Sequence, residues 1–534
     1  METDCLPFTQ IPHTSRLFLD LLASSGAALN FYPRSFRISE WAADESRLIQ
    51  YDPQRRQQVA DILEKQNSAW GASPKTLANL QRFRDGAVAV VTGQQVGVFG
   101  GPLFAILKAL TAVELAKKAE AGGVPAVPIF WLATEDHDLA EVSKISVPSA
   151  DGSLAVLEIA PKAISDSPVG DVRLGDEITP VVERLAELLG PSDVTDALVA
   201  AYRPGESMGD AFAKLYAKVF ADLGVILIDA YDPALHRIAE PIYRGAIENA
   251  ADIDQLLLAR GKELEAAGYH QQVKVTNSST LLFEIVDGQR LVVQRSNGGF
   301  KVGSQRCTAD ELPARISAHP EKFSANVLLR PVMQDYLLPT LAYCGGPAEV
   351  AYFAQVGVVH EKLLRHRTPV LPRFSATIVE PKQKKLLDKY GLKFTDVFQG
   401  PEKLRETMAK RVLPESLQTN FKNAESVVSI AMEKIRRDLQ QLDPTLIAAS
   451  AKAEAKMRYQ VSRLSTRAAR AELLRNDVIN RHAQSLNTHL FPHKNLPERE
   501  IAGIYYLAKF GPELLTSLSE AAGRDCPDHQ VLYL

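Results

Sequence analysis

The segment from Ala87 to Ala133 constrains the fold most. Ala87-Val-Ala-Val-Val-Thr92 is an apolar, β-branched run that reads as a buried strand. It ends in Gly93-Gln-Gln, and Pro102 then opens a helical pattern that lasts to about Glu120. Leu103, Ile106, Leu107, Leu110 and Val113 repeat at helical spacing within it. Gly122-Gly123 ends that pattern, and Ala126-Val-Pro-Ile-Phe-Trp-Leu-Ala133 reads as a second strand. Strand, helix and strand in this succession predict a crossover between parallel neighbours. Val225-Ile-Leu-Ile228, after a helical pattern near Gly209–Leu223, continues the alternation. The fold class expected is α/β, an open parallel sheet flanked by helices.

The chain has 534 residues, and one hydrophobic core rarely grows beyond about 250–300 residues. The sequence changes character near residue 380, which divides it into an expected α/β region, 1–380, and a helical region, 381–534. Two insertions are expected in the first region, near 145–205 and 250–315. The second contains Leu281–Val286 and Leu291–Gln294 joined through Asp287-Gly288, a hairpin signal. In the helical region Val428, Met432, Ile435, Leu439 and Leu442 step by four and three. Asp443-Pro444 interrupts the seam, with Asp443 expected as a cap and Pro444 at the first helical position. The seam resumes at Val461, Leu464, Ala468, Ala471, Leu474 and Val478. Two such helices joined by a tight turn predict an antiparallel coiled-coil hairpin.

Composition excludes several classes. Sixty-one Lys and Arg against 64 Asp and Glu give a formal charge of −3, without the basic excess of a dedicated nucleic-acid binder. The helix from Thr445 to Ser485 is locally basic, with eight Lys/Arg against three Asp/Glu, which suits a solvated face or an RNA contact. No apolar stretch is long enough to predict a membrane span. The four cysteines, at 5, 307, 344 and 526, have no CxxC spacing. So few cysteines argue for a reducing, cytoplasmic setting without a disulfide framework. No signal peptide is expected at the N-terminus.

Three segments carry candidate chemistry. The first, Thr92 to Leu103, lies between strand and helix, where Gln94, Gln95, Gly100, Gly101 and Pro102 could cradle a ligand. A plain strand–helix turn is the alternative. Neither the dinucleotide fingerprint nor the P-loop is present. Lys108 stands about two turns into the helix, at the limit of reach. The second is Glu135-Asp-His-Asp138 with Glu141. His137 between carboxylates suits acid–base chemistry or an orienting donor. The same acids also suit a divalent metal or a helix N-terminus. The third runs from Asn326 to Tyr352, where Arg330, Gln334 and Asp335 precede Cys344-Gly345-Gly346-Pro347, Glu349 and Tyr352. Arg330 suits a carboxylate or phosphate. Cys344, without a neighbouring base, is expected to be structural. His360, His366 and His482 are expected at surface, helix-end or structural positions.

Taken together, Asn30-Phe-Tyr-Pro33, Thr92-Gly-Gln-Gln with Gly100-Gly-Pro-Leu103, Trp131-Leu-Ala-Thr-Glu-Asp-His-Asp138, and Arg330-Pro through Gly345-Gly-Pro-Ala-Glu349 resemble the BshC family, the cysteine ligases of bacillithiol biosynthesis. The resemblance spans essentially the whole chain. It implies a Rossmann-like, nucleotidylyltransferase-like core with two inserted connecting domains, and a C-terminal coiled coil that forms a homodimer. It implies a ligase that joins the cysteine carboxylate to the amine of glucosaminyl-malate, with an adenine nucleotide (ATP or ADP) in an open role and no metal. On that reading Glu135, Asp136, His137 and Asp138 are catalytic candidates. Glu135, Asp138 or Glu141 would hold the ammonium groups, His137 would accept a proton from the attacking amine, and Arg330 would bind the malate carboxylates. Lys108, Glu498 and Arg499 are weaker nucleotide candidates, the last two within Leu496-Pro-Glu-Arg499, where the family has Gln in place of Pro497. The class I synthetase signatures His-x-Gly-His and Lys-Met-Ser-Lys-Ser are absent. A metal-dependent hydrolase or transferase built on Glu135–Asp138, and a non-catalytic coiled-coil or RNA-binding protein, are the competing readings.

Overall fold

The computed structural model describes residues 2–149, 151–475 and 477–534, without the side chains of 473–475. Its centre is a five-stranded parallel sheet: β1 (Val88–Gln94), β2 (Ala126–Leu132), β3 (Ile226–Asp229), β4 (Thr340–Gly345) and β5 (Val370–Pro372). The spatial order is β3-β2-β1-β4-β5. Val91 pairs with Ile129 on one side and Tyr343 on the other. This is the doubly wound Rossmann order, and the direction of winding reverses between β1 and β4.

Strand side chains alternate between two cores, as period-two geometry requires. Ala89, Val91, Ile129, Trp131 and Ile228 pack on one face with α2 (Pro233–Glu248) and α4 (Pro347–Leu364). Phe130, Leu132 and Leu227 pack on the other with α1 (Leu103–Ala121). Between α2 and α4, α3 (Arg330–Leu337) runs into β4. Pro102 precedes α1 as its extended N-cap rather than occupying its first turn.

Further elements stand between β2 and β3 and between β3 and β4. Lys144–Pro148 and Leu154–Glu158 form an antiparallel pair, followed by helices Ile178–Leu189 and Asp193–Ala201. The second insertion carries helix Ala250–Ala266 and a five-stranded antiparallel sheet. Its strands Ser279–Val286 and Gln289–Ser296 turn through Asp287 and Gly288, at φ 52° and 80°. Two positive φ angles are what a two-residue hairpin with matching strand twist needs.

In the C-terminal region α5 (Glu415–Leu442) and α6 (Leu446–Arg475) form the expected antiparallel hairpin. Helix α6 starts two residues beyond Pro444, and Asp443 accepts from the Thr445 N–H at 2.9 Å. Met432 is buried in the seam, and Arg436 meets Glu454 at 2.5 Å across it. Leu474 lies outside the described side chains. Among the described residues no helix is long and apolar enough to cross a membrane.

Beyond the coiled coil the chain departs from the helical expectation. Helices Gly503–Phe510 and Pro512–Ala522 return to the sheet domain, where Ile504, Leu507 and Leu518 share a core with Phe130 and Ile106. Strand His529–Tyr533 then lies between Glu2–Leu6 and Ala376–Val379. The expectation of unpaired cysteines also fails at two positions. Cys5 and Cys526 form a disulfide with Cα atoms 6.6 Å apart, because the pairing of the first strand with the last brings them together. Cys307 and Cys344 are free and buried.

The disulfide closes a loop spanning nearly the whole chain, so its effect falls on the unfolded state. Cys526→Ser is expected to cost about 2–4 kcal/mol. Denaturant unfolding should show this loss in the variant, and reductant should destabilise the parent protein but not the variant. Equal stability of oxidised and reduced parent protein would contradict it.

Candidate active site

A cavity of about 600 Å³ opens at the carboxyl ends of β1, β2 and β4. This is the crevice where an open α/β sheet binds ligands. Each strand delivers its own residues. The end of β1 and the turn after it bring Gly93, Gln94 and Gln95; the turn after β2 brings Glu135, Asp136 and His137; β4 and the start of α4 bring Tyr343, Gly346, Glu349 and Tyr352. Arg330 comes from α3, Arg290 from the second insertion, Arg373 from beyond β5 and Arg499 from the C-terminal return. Arg373 and Arg499 also border an adjoining cavity of about 370 Å³.

Lys108 reaches this wall despite its place two turns into α1. Its ammonium donates to the Gly93 carbonyl at 2.7 Å and to Gln94 Oε1 at 2.8 Å, and meets Glu349 Oε2 at 2.5 Å. Glu349 also accepts from the Gly346 N–H at 2.8 Å and the Tyr343 hydroxyl at 2.5 Å. Burial works to raise the Glu349 pKa, but Lys108 together with the Tyr343 hydroxyl and the Gly346 N–H holds the carboxyl below its ordinary value. Arg330 donates to Gln334 Oε1 at 3.0 Å and to the Tyr352 hydroxyl at 2.9 Å, which aims its guanidinium along the cavity wall.

The acidic side is arranged differently. Gln95 donates to Asp136 at 2.6 Å and Glu141 at 2.9 Å, fixing both carboxylates at the rim. Glu135 is 5% exposed, and its Oε1 has no hydrogen-bond partner. Burial pushes its pKa up to about 8, against the opposing pull of Arg290. His137 Nδ1 lies 3.3 Å from the Arg290 guanidinium. A guanidinium only donates, so Nδ1 accepts and the ring proton sits on Nε2. Of the two roles open to His137, this geometry favours the orienting donor.

Family models match both halves of the chain. Residues 1–374 match the N-terminal Rossmann-like domain of BshC of bacillithiol biosynthesis, and residues 376–534 match its C-terminal coiled-coil domain. The chain belongs to the BshC family. A relative from Koribacter versatilis is 50% identical over 532 residues, covering 100% of both chains. One from Solibacter usitatus is 37% identical with the same coverage, and one from Geobacillus thermodenitrificans is 30% identical over 98% of this chain and 99% of its own. Each bears the name "Putative cysteine ligase BshC".

Within this BshC chain several expected site residues lie off the cavity. Gly100, Gly101 and Pro102 are covered by the C-terminal return: Leu103 N–H donates to the Ile501 carbonyl at 2.9 Å, and Gly503 N–H to the Gly101 carbonyl at 3.1 Å. The helix N-terminus expected to cradle a ligand is therefore occupied by the protein's own backbone. Asp138 caps a short helical turn, accepting from the Glu141 N–H at 3.1 Å. Asp335 is buried against His360 at 2.7 Å and Thr368 at 2.6 Å, so His360 is a core residue rather than a surface one. His366 is half-buried beside Glu45, at 3.1 Å. Gln334 is buried and acts on the cavity only through Arg330. Gly345 carries its carbonyl to the Arg373 N–H at 2.8 Å. Cys344 is buried, with its thiol pushed up to about 12 by burial, in keeping with a structural thiol.

The weaker nucleotide set does not form a phosphate site. The charge of Lys108 is matched by Glu349. Glu498 is buried and gripped by Arg373 at 2.6 and 3.2 Å, with Ser375 and the Ala376 N–H on the same carboxylate. Arg499 alone of the three faces the cavity with its charge uncommitted to a carboxylate in these contacts. Among the described residues no group of three His, Cys, Asp or Glu side chains has a metal-binding arrangement. Sequence reasoning missed Arg290 and Arg373. Arg290 follows a hairpin turn and Arg373 a three-residue strand, and neither context marks an inward-facing cation.

Lys108→Met would leave the Glu349 carboxylate buried without its counter-charge, at an expected cost of about 3–5 kcal/mol. Urea unfolding would measure this, and a loss below about 1 kcal/mol would contradict the pairing.

Proposed function

We propose that this chain adds cysteine to glucosaminyl-malate by forming an amide, the step that completes bacillithiol. The observation that carries the reading is one cavity lined both by the guanidinium groups of Arg330 and Arg499 and by the carboxyl groups of Glu135, Asp136 and Glu141. Glucosaminyl-malate has carboxylates at one end and an amine at the other, and cysteine adds a second ammonium. Arg330 suits the malate carboxylates because its fork can donate two parallel bonds. Asp136 and Glu141 suit the ammonium groups, and His137 Nε2 donates to a substrate oxygen. The names of the relatives support the same reading.

Amide formation from a free carboxylate is uphill in water, so the carboxylate must be activated. An adenine nucleotide would supply that activation; of the three residues expected to hold it, Arg499 is the one that faces the cavity without a carboxylate partner. A mass assay with cysteine and glucosaminyl-malate, with and without ATP, tests the proposal. The thiol product is expected, and its formation without ATP would exclude obligatory activation by nucleotide. No product in either condition would overturn the reading. Arg330→Lys should raise the KM for glucosaminyl-malate at least tenfold, because Lys cannot form the bidentate pair.

The coiled coil is proposed to join two copies. Val427, Ile430, Leu442 and Leu464 remain between 57% and 78% exposed on the hairpin, more apolar surface than a solvated helix pair needs. The small-molecule reading needs neither nucleic acid nor membrane, and it places the enzyme in the cytoplasm with its thiol product. Ile430→Glu combined with Leu464→Glu should convert a dimer into a monomer in sedimentation equilibrium. A parent protein that sediments as a monomer would contradict the proposal.

A further inference from the structure

An accessible pair of sulfurs stands at a cavity that the proposed reaction does not use. The Cys5–Cys526 disulfide joins the first strand, Glu2–Leu6, to the turn before the last, His529–Tyr533. Cys5 is exposed and Cys526 is half-buried. Cys526 also lines a cavity of about 610 Å³, whereas Cys5 stands outside that lining. The cavity shares Arg373 with the candidate active site but none of its carboxyl groups. Arg373 is gripped by Glu498 and brings no free charge.

The other charges of this wall divide into committed and uncommitted ones. Asp528 accepts from the Phe8 N–H at 3.0 Å, and Glu40 lies 3.7 Å from Arg37. Lys118, in the last turn of α1, and Arg524 and Asp525, just before Cys526, meet no group of opposite charge among the described residues. Arg524 donates to the Thr3 hydroxyl at 2.6 Å and keeps its charge. Two uncommitted cations and one uncommitted carboxylate complement a small molecule with two carboxylates and one ammonium group.

We propose that this cavity is a thiol–disulfide exchange site, where a small thiol carrying two carboxylates and one ammonium group becomes bonded to Cys526. The thiol gives its proton to water, and its sulfur attacks Cys526 Sγ from the cavity. The Cys5–Cys526 bond breaks, a new bond joins Cys526 to the ligand sulfur, and Cys5 leaves as a thiolate that takes a proton from water. One disulfide replaces another, so no oxidant or reductant is consumed. The exposed Cys5 suits the leaving position, because water stabilises a thiolate better than a buried site does.

The strand pairing makes the exchange reversible. Cys5 stays opposite Gln530 within a ladder that runs from Glu2 to Leu6. Its thiolate therefore remains near Cys526 and re-forms the disulfide, expelling the ligand, when the free thiol is removed. The thiol proposed above as the product belongs to the same class, with two malate carboxylates and the cysteine ammonium. The exchange site does not depend on that reading, and glutathione, which has the same three charged groups, serves as the probe.

The test uses the full-length oxidised protein, with 2-mercaptoethanol as the uncharged comparison. Early samples are quenched with N-ethylmaleimide and mapped by mass spectrometry. Glutathione is expected on Cys526 and the maleimide on Cys5. Lys118→Glu and Arg524→Glu should each slow exchange with glutathione about tenfold, at the lower end of what a focused field contributes. Exchange with 2-mercaptoethanol should keep its rate in both variants. Added salt should slow the glutathione reaction of the parent protein and spare the other. A variant that merely disturbs the fold changes both rates alike, because both thiols report on one disulfide. Glutathione on Cys5, exchange only after addition of urea, or equal changes for the two thiols would overturn the site. Failure of the protein to form an amide would remove the product from the class of candidate ligands and leave the glutathione results standing.

Discussion

A single buried cation fastens the two halves of the sheet together. Lys108 leaves α1, binds the end of β1 through the Gly93 carbonyl, and meets Glu349 in the first turn of the helix after β4. β1 and β4 are the strands between which the winding reverses. A doubly wound sheet opens a crevice there because the helices on its two sides diverge. The ion pair crosses the floor of that crevice, and Glu349 draws in Tyr343 and the Gly346 N–H. Neither charge would be tolerated alone at this depth. The cavity thus has a rigid floor, and its walls differ only in what the flanking segments contribute.

Those flanking segments come from distant parts of the chain. The C-terminal return places Ile501–Gly503 against the start of α1, where an anion-binding helix terminus would otherwise stand. It also sets Glu498 to hold Arg373 and leaves Arg499 at the junction of two cavities. Cationic character, lost from the helix terminus, is restored by side chains. The pairing of Glu2–Leu6 with His529–Tyr533, and the disulfide beside it, secure this return. The two halves matched by separate family models therefore meet at one site.

Local pattern made much of this legible. The strands β1 to β3, helix α1, the Asp287-Gly288 hairpin and the coiled-coil break at Asp443-Pro444 each carry a periodicity or a turn residue of their own. The motifs around Gln94, Glu135 and Gly345 converge as strand ends of one sheet must, and Arg330 joins them from α3. What stayed hidden depends on contacts between remote residues. Cys5 and Cys526 show no spacing signal because 521 positions separate them. His360 looks like a surface or helix-end residue until Asp335 is placed beside it, and His529 has no readable context until Ser375 and Thr377 meet its ring. Gly100–Pro102 looks like a ligand cradle because the segment that covers it lies 400 residues away, roughly the reach of the whole fold rather than of any local motif.

Three buried glutamates near the cavity show how environment assigns chemistry. For Glu349 and Glu498, burial alone would favour the neutral acid, yet Lys108 and Arg373, with the other groups around each carboxylate, together hold both pKa values below the ordinary one. A carboxylate so neutralised is a structural anchor, because taking up a proton would strand its partner cation. Glu135 is buried as deeply, but no side chain donates to it within ordinary hydrogen-bond length, and its pKa rises to about 8. Near neutral pH such a group exchanges its proton at little free-energy cost. Of the three, only Glu135 combines a place on the cavity wall with a proton affinity matched to an amine, and that combination requires the absence of the salt bridge that secures the other two.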